Sequence, residues 1–352
     1  MKMAERTSRK EDVDIGVLGT GSYLPKRVVD NDEMASLVGV TAEWIERKTH
    51  IRCRRFAAPD EAASDLAVVA ARRALEQAGL PAERIDFVIV ATSTGDSPQP
   101  PTAHLVQHLV GASGAACLDL NVVCSGFVYG LAVARGLMST RPGSHALVIG
   151  ADVYSRILDF SDRRTAVLFG DGAGAAVLGP VPAGFGILDV ELLSSGAERG
   201  LIHVEAGGSR RPASRETVEA GEHFFRMRGR EVREFVAQRV PGALSDLLGR
   251  CGLTSGEINH FVPHQANGVM VDDLVKATDL TGARTHRTVE RFGNTGSASV
   301  GVTLDAANRE GALLTGDTVL LAAFGGGMAI GACIVRWFAP AGQPRGTREA
   351  IR

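Results

Sequence analysis

The chain has 352 residues, enough for two domains of ordinary size or one large α/β unit with a sizeable core. Its 38 Lys and Arg against 40 Asp and Glu leave a net charge of −2, which offers nucleic acid no electrostatic footprint. The longest apolar runs, such as 319–324, fall far short of the ~20 residues of a membrane span, and the charged stretch 1–14 lacks an apolar signal core. The expectation is a soluble cytoplasmic protein acting without membrane or nucleic acid.

Strand-like apolar runs alternate with helix-period segments, the pattern of an α/β fold. Residues 15–20 read as a strand. SDLAVVAARRALEQAG (64–79) reads as a helix that Ser64 can cap and Gly79-Leu80-Pro81 ends. IDFVIVAT (85–92) reads as a buried strand. CSGFVYGLAVARGLMST (124–140) reads as a helix with Phe127, Leu131, Ala134 and Met138 on one face. HALVIGA (145–151) is a strand, and AVLFGDGAGAAVLGP (166–180) reads as two strands around a Gly-rich turn.

The second half repeats this order. GREVREFVAQRVPGALSDLLGRCG (229–252) is helical with a bend expected at Pro241. INHFVPH (258–264) answers IDFVIVAT, GNTGSASVGVTLDAANREG (293–311) answers the helix after Cys124, and TVLLAAFGGGMAIGACIVRW (318–337) answers AVLFGDGAGAAVL. The expected organisation is an internal duplication: one α/β half over 13–182, a second over 183–340, and a frayed tail over 341–352. Residues 197–221 lack periodicity and read as a surface excursion, a lid or substrate wall.

Five cysteines stand at 53, 117, 124, 251 and 333; an odd count without CxxC spacing suggests neither a disulfide framework nor a zinc site. His104 and His108 share a helix face without an acid at ligand spacing, so no metal is expected. GTGSYLP (19–25) lacks the third Gly of a dinucleotide loop, and Pro25 blocks the helix that should follow.

Cys124 differs from the other cysteines because it opens a helix, where free N–H groups lower a thiol pKa. The duplication sets Asn294 before the matching helix and His264 at the end of the matching strand. Such element ends converge near a pseudo-two-fold axis. A thiol nucleophile beside two hydrogen-bond donors suits chemistry through an oxyanion or enolate. FGGG (324–327) adds bare backbone N–H groups.

At these residues the chain resembles the β-ketoacyl-acyl-carrier-protein synthase III family, of thiolase fold. The carrying motifs are VVCSGFVYGLAVA, LFGDGAGAAVLGP, FVPHQAN, GNTGSASV and LLAAFGGGMAIGACIVRW, supported by GTGSYLPKRVVDN and TAEWIERKTHIRCRRF, over about residues 13–338. The resemblance implies a layered α-β-α-β-α fold, a homodimer and a Cys124-His264-Asn294 triad. Cys124 would take an acyl group from acyl-CoA, and His264 and Asn294 would hold malonyl-acyl carrier protein for decarboxylative condensation, with no cofactor. It also implies an oxyanion hole from the N–H groups of Cys124 and Gly326, with Phe324 on the decarboxylation side. CoA and its pantetheine arm would meet Trp44, Lys48, Arg163, Gly229 and Asn267, with Trp44 and Arg163 sandwiching the adenine.

The chain departs from the family pattern in four places. Lys48 replaces a common Arg, so a planar fork becomes a point charge. Gln99 replaces an aromatic residue that crosses the dimer interface into the acyl pocket, which predicts a wider pocket or a less simple acyl group and tilts the expected pathway from fatty-acid toward polyketide biosynthesis. Val269 replaces a basic residue that helps dock carrier protein. Arg230 and Arg233 either restore that charge or solvate a helix face, the second being preferred. An alternative keeps the fold and moves the acyl group to a hydroxyl or amine, with His264 as base.

Overall fold

The computed structural model describes residues 13–339. The first half runs β1 (Val13–Tyr23), α1 (Ala63–Ala78), β2 (Phe87–Ala91), β3 (Ala116–Leu120), α2 (Gly126–Thr140), β4 (Ala146–Asp152) and β5 (Gly172–Pro182). The second runs β6 (Gly186–Ser194), α3 (Gly229–Arg250), β7 (His260–Pro263), β8 (Arg284–Thr285), α4 (Ala298–Arg309), β9 (Thr318–Gly325) and β10 (Ala329–Arg336). The sheets have orders β1-β5-β4-β2-β3 and β6-β10-β9-β7-β8, so each strand of one occupies the place of its counterpart in the other. Directions match too: β2 and β7 pair in parallel with both neighbours, while β5 and β10 pair antiparallel with theirs.

The central strands are buried on both faces, as β4 shows with all seven residues of ALVIGAD inside. Helices α2 and α4 fill the space between the sheets. Phe127, Leu131, Val300 and Leu304 share one core with residues of both sheets. Helix α1 covers the outer face of the first sheet, and α3 that of the second. The layers are therefore α-β-α-β-α. Val123–Thr140 is long and apolar enough to cross a membrane, a length the sequence reading overlooked, but its role is this central layer.

Close approach of α4 depends on glycine. A Cβ on Gly150 would stand 2.4 Å from the Ser297 carbonyl oxygen, and one on Gly174 2.4 Å from the Val302 nitrogen. Buried carboxylates then fasten the halves. Asp305 of α4 accepts from Thr20 Oγ1 at 2.8 Å and Ser22 Oγ at 2.6 Å. Asp152 at the end of β4 accepts from the N–H of Ser297 at 2.8 Å and its hydroxyl at 2.7 Å.

Three expectations need correction. Residues 166–180 contain one strand instead of two, since the helical turn Arg163–Ala166 and an irregular stretch precede β5. The counterpart of β9 is therefore β4, and that of β10 is β5; segment 153–171 has no equivalent in the tight turn 326–328. Ser64 does not cap α1. It lies inside the first turn and donates to Asp96 at 2.6 Å, while Asp65 takes the N–H of Ala62 at 2.9 Å. Helix α3 includes Pro241 within one element, Gly229–Arg250. The excursion 197–221 holds a short helix, Arg215–Glu219, and strand Ile202–His203 pairs with Arg226–Met227 beyond it. The predicted frayed tail lies outside the described residues.

Candidate active site

Cys124 sits in the single 3₁₀ turn Val123–Ser125 between β3 and α2. Val123 is forced to φ +48°, a left-handed conformation costly for a β-branched residue, and it aims the chain sharply into the helix. Ser125 Oγ donates to the Ala329 carbonyl at 3.1 Å, tying this elbow to the opposite half. The end of β9 closes from the other side: a Cβ on Gly325 would stand 2.7 Å from that of Cys124.

His264 follows β7 and is buried. Its Nδ1 lies 2.5 Å from Ser299 Oγ, in the first turn of α4, and its ring meets Phe324 edge-on at 5.3 Å. Burial pushes the imidazole down to about 3, so it stays neutral. The next residue, Gln265, is wired to backbone at both ends of its amide: Oε1 accepts from Thr288 and Val289, and Nε2 donates to Pro263 and His286. It is a strut for the strand end.

Asn294 lies in the turn before α4. Its backbone bridges to Phe169, with its N–H donating to Leu168 at 2.8 Å and its carbonyl accepting from Gly170 at 3.0 Å. Its Oδ1 accepts from the N–H of Gly296 at 2.9 Å. That contact commits the oxygen and turns the donor Nδ2 the other way. Segment 167–171, misread as a strand, is thus what braces Asn294.

One cavity of about 260 Å³ joins Cys124, His264, Asn294, Phe324 and Gly325 at its base to Trp44, Lys48, Gly229 and Asn267 toward the surface. The three polar groups singled out from the sequence therefore meet. Arg163 stands over the Trp44 ring at 6.0 Å, and neighbouring Arg164 lines the cavity. Asn267 caps helix Gly268–Ala277 through Met270 N–H at 2.9 Å. A Cβ on Gly325 would meet Cys124, and one on Gly326 would meet Val123 and Ile202. Gln99 is exposed and lies outside the cavity of its own chain.

The electrostatic expectation for Cys124 is reversed. Burial pushes its thiol well above the ordinary range, and the Asp152 carboxylate adds to this; backbone N–H groups pull only partly back. Sequence reasoning missed the apolar wall of Phe169, Phe225 and Met227, while Ile202 falls in the excursion expected as a substrate wall. The run HFFRM at 223–227 carried that signal, since two adjacent aromatics in a charged stretch need a buried destination. It also missed Ser299, which no local pattern distinguishes from a helix-capping serine.

A thiol, a neutral imidazole and a primary amide converging between two duplicated halves define an acyl-transferring condensing enzyme of thiolase fold. Comparison with known proteins agrees. The family profiles for 3-oxoacyl-[acyl-carrier-protein] synthase III match residues 118–196 and, for its C-terminal part, 248–337. The acetoacetyl CoA synthase of Streptomyces sp. strain CL190 is 51% identical over 93% of this chain and 99% of its own. The β-ketoacyl-[acyl-carrier-protein] synthase III of Caldanaerobacter subterraneus is 44% identical over 93% and 99%. Among solved structures, the 3-oxoacyl-(acyl carrier protein) synthase III of Pseudomonas aeruginosa PAO1 superposes with a TM-score of 0.85 at 37% identity, covering 93% of this chain and 99% of that one. The priming β-ketosynthase of the R1128 polyketide pathway gives 0.85 at 36%, covering 91% and 95%. The chain belongs to the β-ketoacyl-acyl-carrier-protein synthase III family.

Proposed function

We propose that this enzyme moves an acyl group from acyl-CoA onto Cys124 and condenses it with a malonyl thioester, releasing CO₂. The carrying observation is the convergence of Cys124, His264 and Asn294 from opposite halves in one cavity. In the first step the Cys124 sulfur attacks the thioester carbonyl, the C–S bond to CoA breaks, and the thiol proton leaves with CoA. In the second, the malonyl thioester oxygen takes hydrogen bonds from His264 Nε2 and Asn294 Nδ2. The bond to the carboxylate breaks, CO₂ departs, and the electron pair is held as an enolate. The enolate carbon attacks the acyl-Cys carbonyl, whose oxygen meets the backbone N–H of Cys124 and that of Gly326. Collapse breaks the bond from that carbonyl to sulfur, expels the Cys124 thiolate, which takes up a proton from solvent, and yields a β-ketoacyl thioester. Donors fixed on a developing charge are each worth roughly 3–4 kcal/mol. The chain's own thiol, imidazole, amide and N–H groups serve every step without a cofactor. Transfer to a hydroxyl or amine would leave Asn294 without a task.

Trp44 and Arg163 hold the adenine in this reading, and Lys48, Gly229 and Asn267 line the arm. A homodimer is supported by strand β3, which ends its sheet with an open edge. The Gln99 loop flanks that edge, because Thr102 and Ala103 donate to Asp119 of β3 at 2.7 and 2.8 Å. Five free cysteines suit a reducing cytoplasm.

For the malonyl carrier, CoA is favoured over carrier protein. Arg233 pairs with Asp273 at 2.6 Å, Arg230 with Glu234 at 3.0 Å, and Arg287 with Asp272. These arginines are answered by acids, as the helix-solvating reading of Arg230 and Arg233 expects, and present little net charge to an acidic carrier.

The test is intact mass spectrometry with acyl-CoAs, then malonyl-CoA and malonyl-carrier protein, beside Cys124→Ala. Acylation of Cys124 followed by CO₂ release is expected. Acylation without CO₂ from either malonyl donor would overturn condensation.

A further inference from the structure

The duplication makes one contact twice, between the end of a strand and the start of a helix. Strand β9 ends on Gly325, and a Cβ there would stand 2.7 Å from that of Cys124, before α2. Its counterpart β4 ends on Asp152, and a Cβ on Gly296, before α4, would stand 2.5 Å from Asp152 Oδ2. Glycine at the first contact leaves the space beside the thiol to the cavity, which Gly325 lines. At the second contact a fully buried carboxylate fills the corresponding space and lies outside the cavity lining.

The groups facing this carboxylate are donors from two segments. Oδ1 accepts from the N–H of Ser93 at 2.8 Å and from the hydroxyls of Thr94 at 2.9 Å and Thr92 at 3.3 Å. Oδ2 accepts from the N–H of Ser297 at 2.8 Å, and the Ser297 hydroxyl lies between Oδ2 at 2.7 Å and the Ala91 carbonyl at 2.8 Å. An ionised carboxylate accepts on both oxygens, whereas an amide of the same shape must turn a donor toward one side.

Ser297 ends the turn that begins at Asn294. The bridge to Phe169 holds the Asn294 backbone but leaves its side chain free to rotate. The amide is fixed through Oδ1, which accepts from the N–H of Gly296, and the next N–H along the chain is the one on Asp152. The elbow of Cys124 has separate anchors, the Ser125 hydroxyl on Ala329 and the backbone of Gly325. Among the described residues, the hydrogen bonds of Asp152 therefore grip the turn that aims Asn294 and not the one that aims the thiol.

We propose that Asp152 is a positioning residue for decarboxylation, holding turn 294–297 so that Asn294 Nδ2 faces the malonyl thioester. This rests on the condensation reading above.

Single-turnover acylation by acetyl-CoA and CO₂ release from malonyl-CoA, measured separately on full-length Asp152→Asn, test it. The new amide oxygen should stay with the three donors of residues 92–94, which sets the NH₂ against the Ser297 N–H. Decarboxylation should fall by roughly tenfold or more, the worth of one well-placed hydrogen bond, and acylation by less than about threefold. In an Asn294→Ala background the same change should lower decarboxylation by less than about threefold, because the group it aims is gone. A purely structural aspartate would slow both half-reactions alike, or add its full loss to that of Asn294→Ala; either result overturns the assignment. Ser297→Ala keeps the carboxylate and the backbone N–H, and serves if Asp152→Asn fails to fold. It should show the same one-sided loss at about threefold, and equal losses in both half-reactions would again overturn the assignment. If wild type releases no CO₂ from malonyl-CoA or malonyl-carrier protein, the condensation reading fails and takes this proposal with it. CO₂ release by wild type with equal losses in the variants removes the positioning role alone.

Discussion

Nδ1 of His264 lies 2.5 Å from Oγ of Ser299, and the Gln265 N–H points at the same oxygen from 3.4 Å. With a donor already on that oxygen, the hydroxyl turns its own proton toward Nδ1. The proton of the neutral imidazole then resides on Nε2, the tautomer that can donate to an enolate. Ser299→Ala frees the tautomer. It should slow condensation by roughly tenfold, the worth of one hydrogen bond of about 1.4 kcal/mol. Acylation of Cys124 by acyl-CoA should change far less. Separate single-turnover rates for the two half-reactions check this, and equal losses in both would refute it.

Asn294 divides its amide between two tasks, with Oδ1 on the Gly296 N–H and Nδ2 left to donate. Asn294→Asp keeps the acceptor for Gly296 and removes the donor; Asn294→Ala removes both. If the donor matters to chemistry, both variants should lose decarboxylation by about 10²–10³-fold. Only Ala should also lower thermal stability, because only Ala strands the buried Gly296 N–H. Malonyl decarboxylation assays beside melting curves separate the two effects.

Much of this arrangement was readable in the chain, for physical reasons. Cys124, His264 and Asn294 sit at element ends, and a duplicated α/β order brings such ends together. The register of the duplication was misread because LFGDGAGAAV carries strand-like apolar residues on both sides of its glycines. Only the three-dimensional bridge between Phe169 and Asn294 shows the first of these as an irregular brace. The sign of the Cys124 shift was unreadable too. It depends on burial against Asp152 and Gly325, residues 28 or more positions away in sequence. Tyr154 likewise follows a strand with no local pattern marking it as a neighbour of the thiol.

Gly296 is the tightest point of the site. Its φ of +58° and the 2.3 Å and 2.5 Å approaches of a Cβ to Tyr154 and Asp152 leave no room for a side chain. Gly296→Ala should cost several kcal/mol, through left-handed strain and displacement of the Asp152–Ser297 contacts. A fall in Tm well beyond that of Gly136→Ala is the expected result, since a Cβ on Gly136 meets nothing within 4 Å.

Acid should destabilise the fold through its buried histidines. Burial, helped by the neighbouring His260 and Arg284, lowers His286 to about 4, and burial lowers His264 to about 3. An unfolded histidine protonates near 6.5. Below that pH the unfolded chain holds more protons than the fold, so stability falls as pH drops from about 6.5 toward 4. The slope is about 1.4 kcal/mol per unit for each fully linked histidine. Asp152 and Asp171, pushed up by burial, oppose this near the carboxylate range, where the fold takes up protons first. Denaturant melts at pH 7 and 5 should show the loss, and His286→Gln should remove part of it. A pH-independent wild type would contradict the assignment.

The mouth of the cavity offers a test of which malonyl carrier the enzyme prefers. Helix Gly268–Ala277 presents Asp272 and Asp273, which engage Arg287 and Arg233. Each pair is partly exposed and contributes little to stability, so removing the acids should leave the fold intact. It should change the field, however, by unmasking Arg233 and leaving Arg287 with only its Glu290 partner at 2.8 Å, on a face that an acidic carrier protein would approach. Asp272→Asn with Asp273→Asn should therefore raise kcat/KM for malonyl-carrier protein severalfold at low salt, mostly through faster association. The gain should fade as ionic strength rises. Malonyl-CoA carries its own phosphates and should respond in the same direction, so the ratio of kcat/KM between the two donors is the readout. A variant that gains nothing with carrier protein at any salt would show that paired arginines are not what sets the preference.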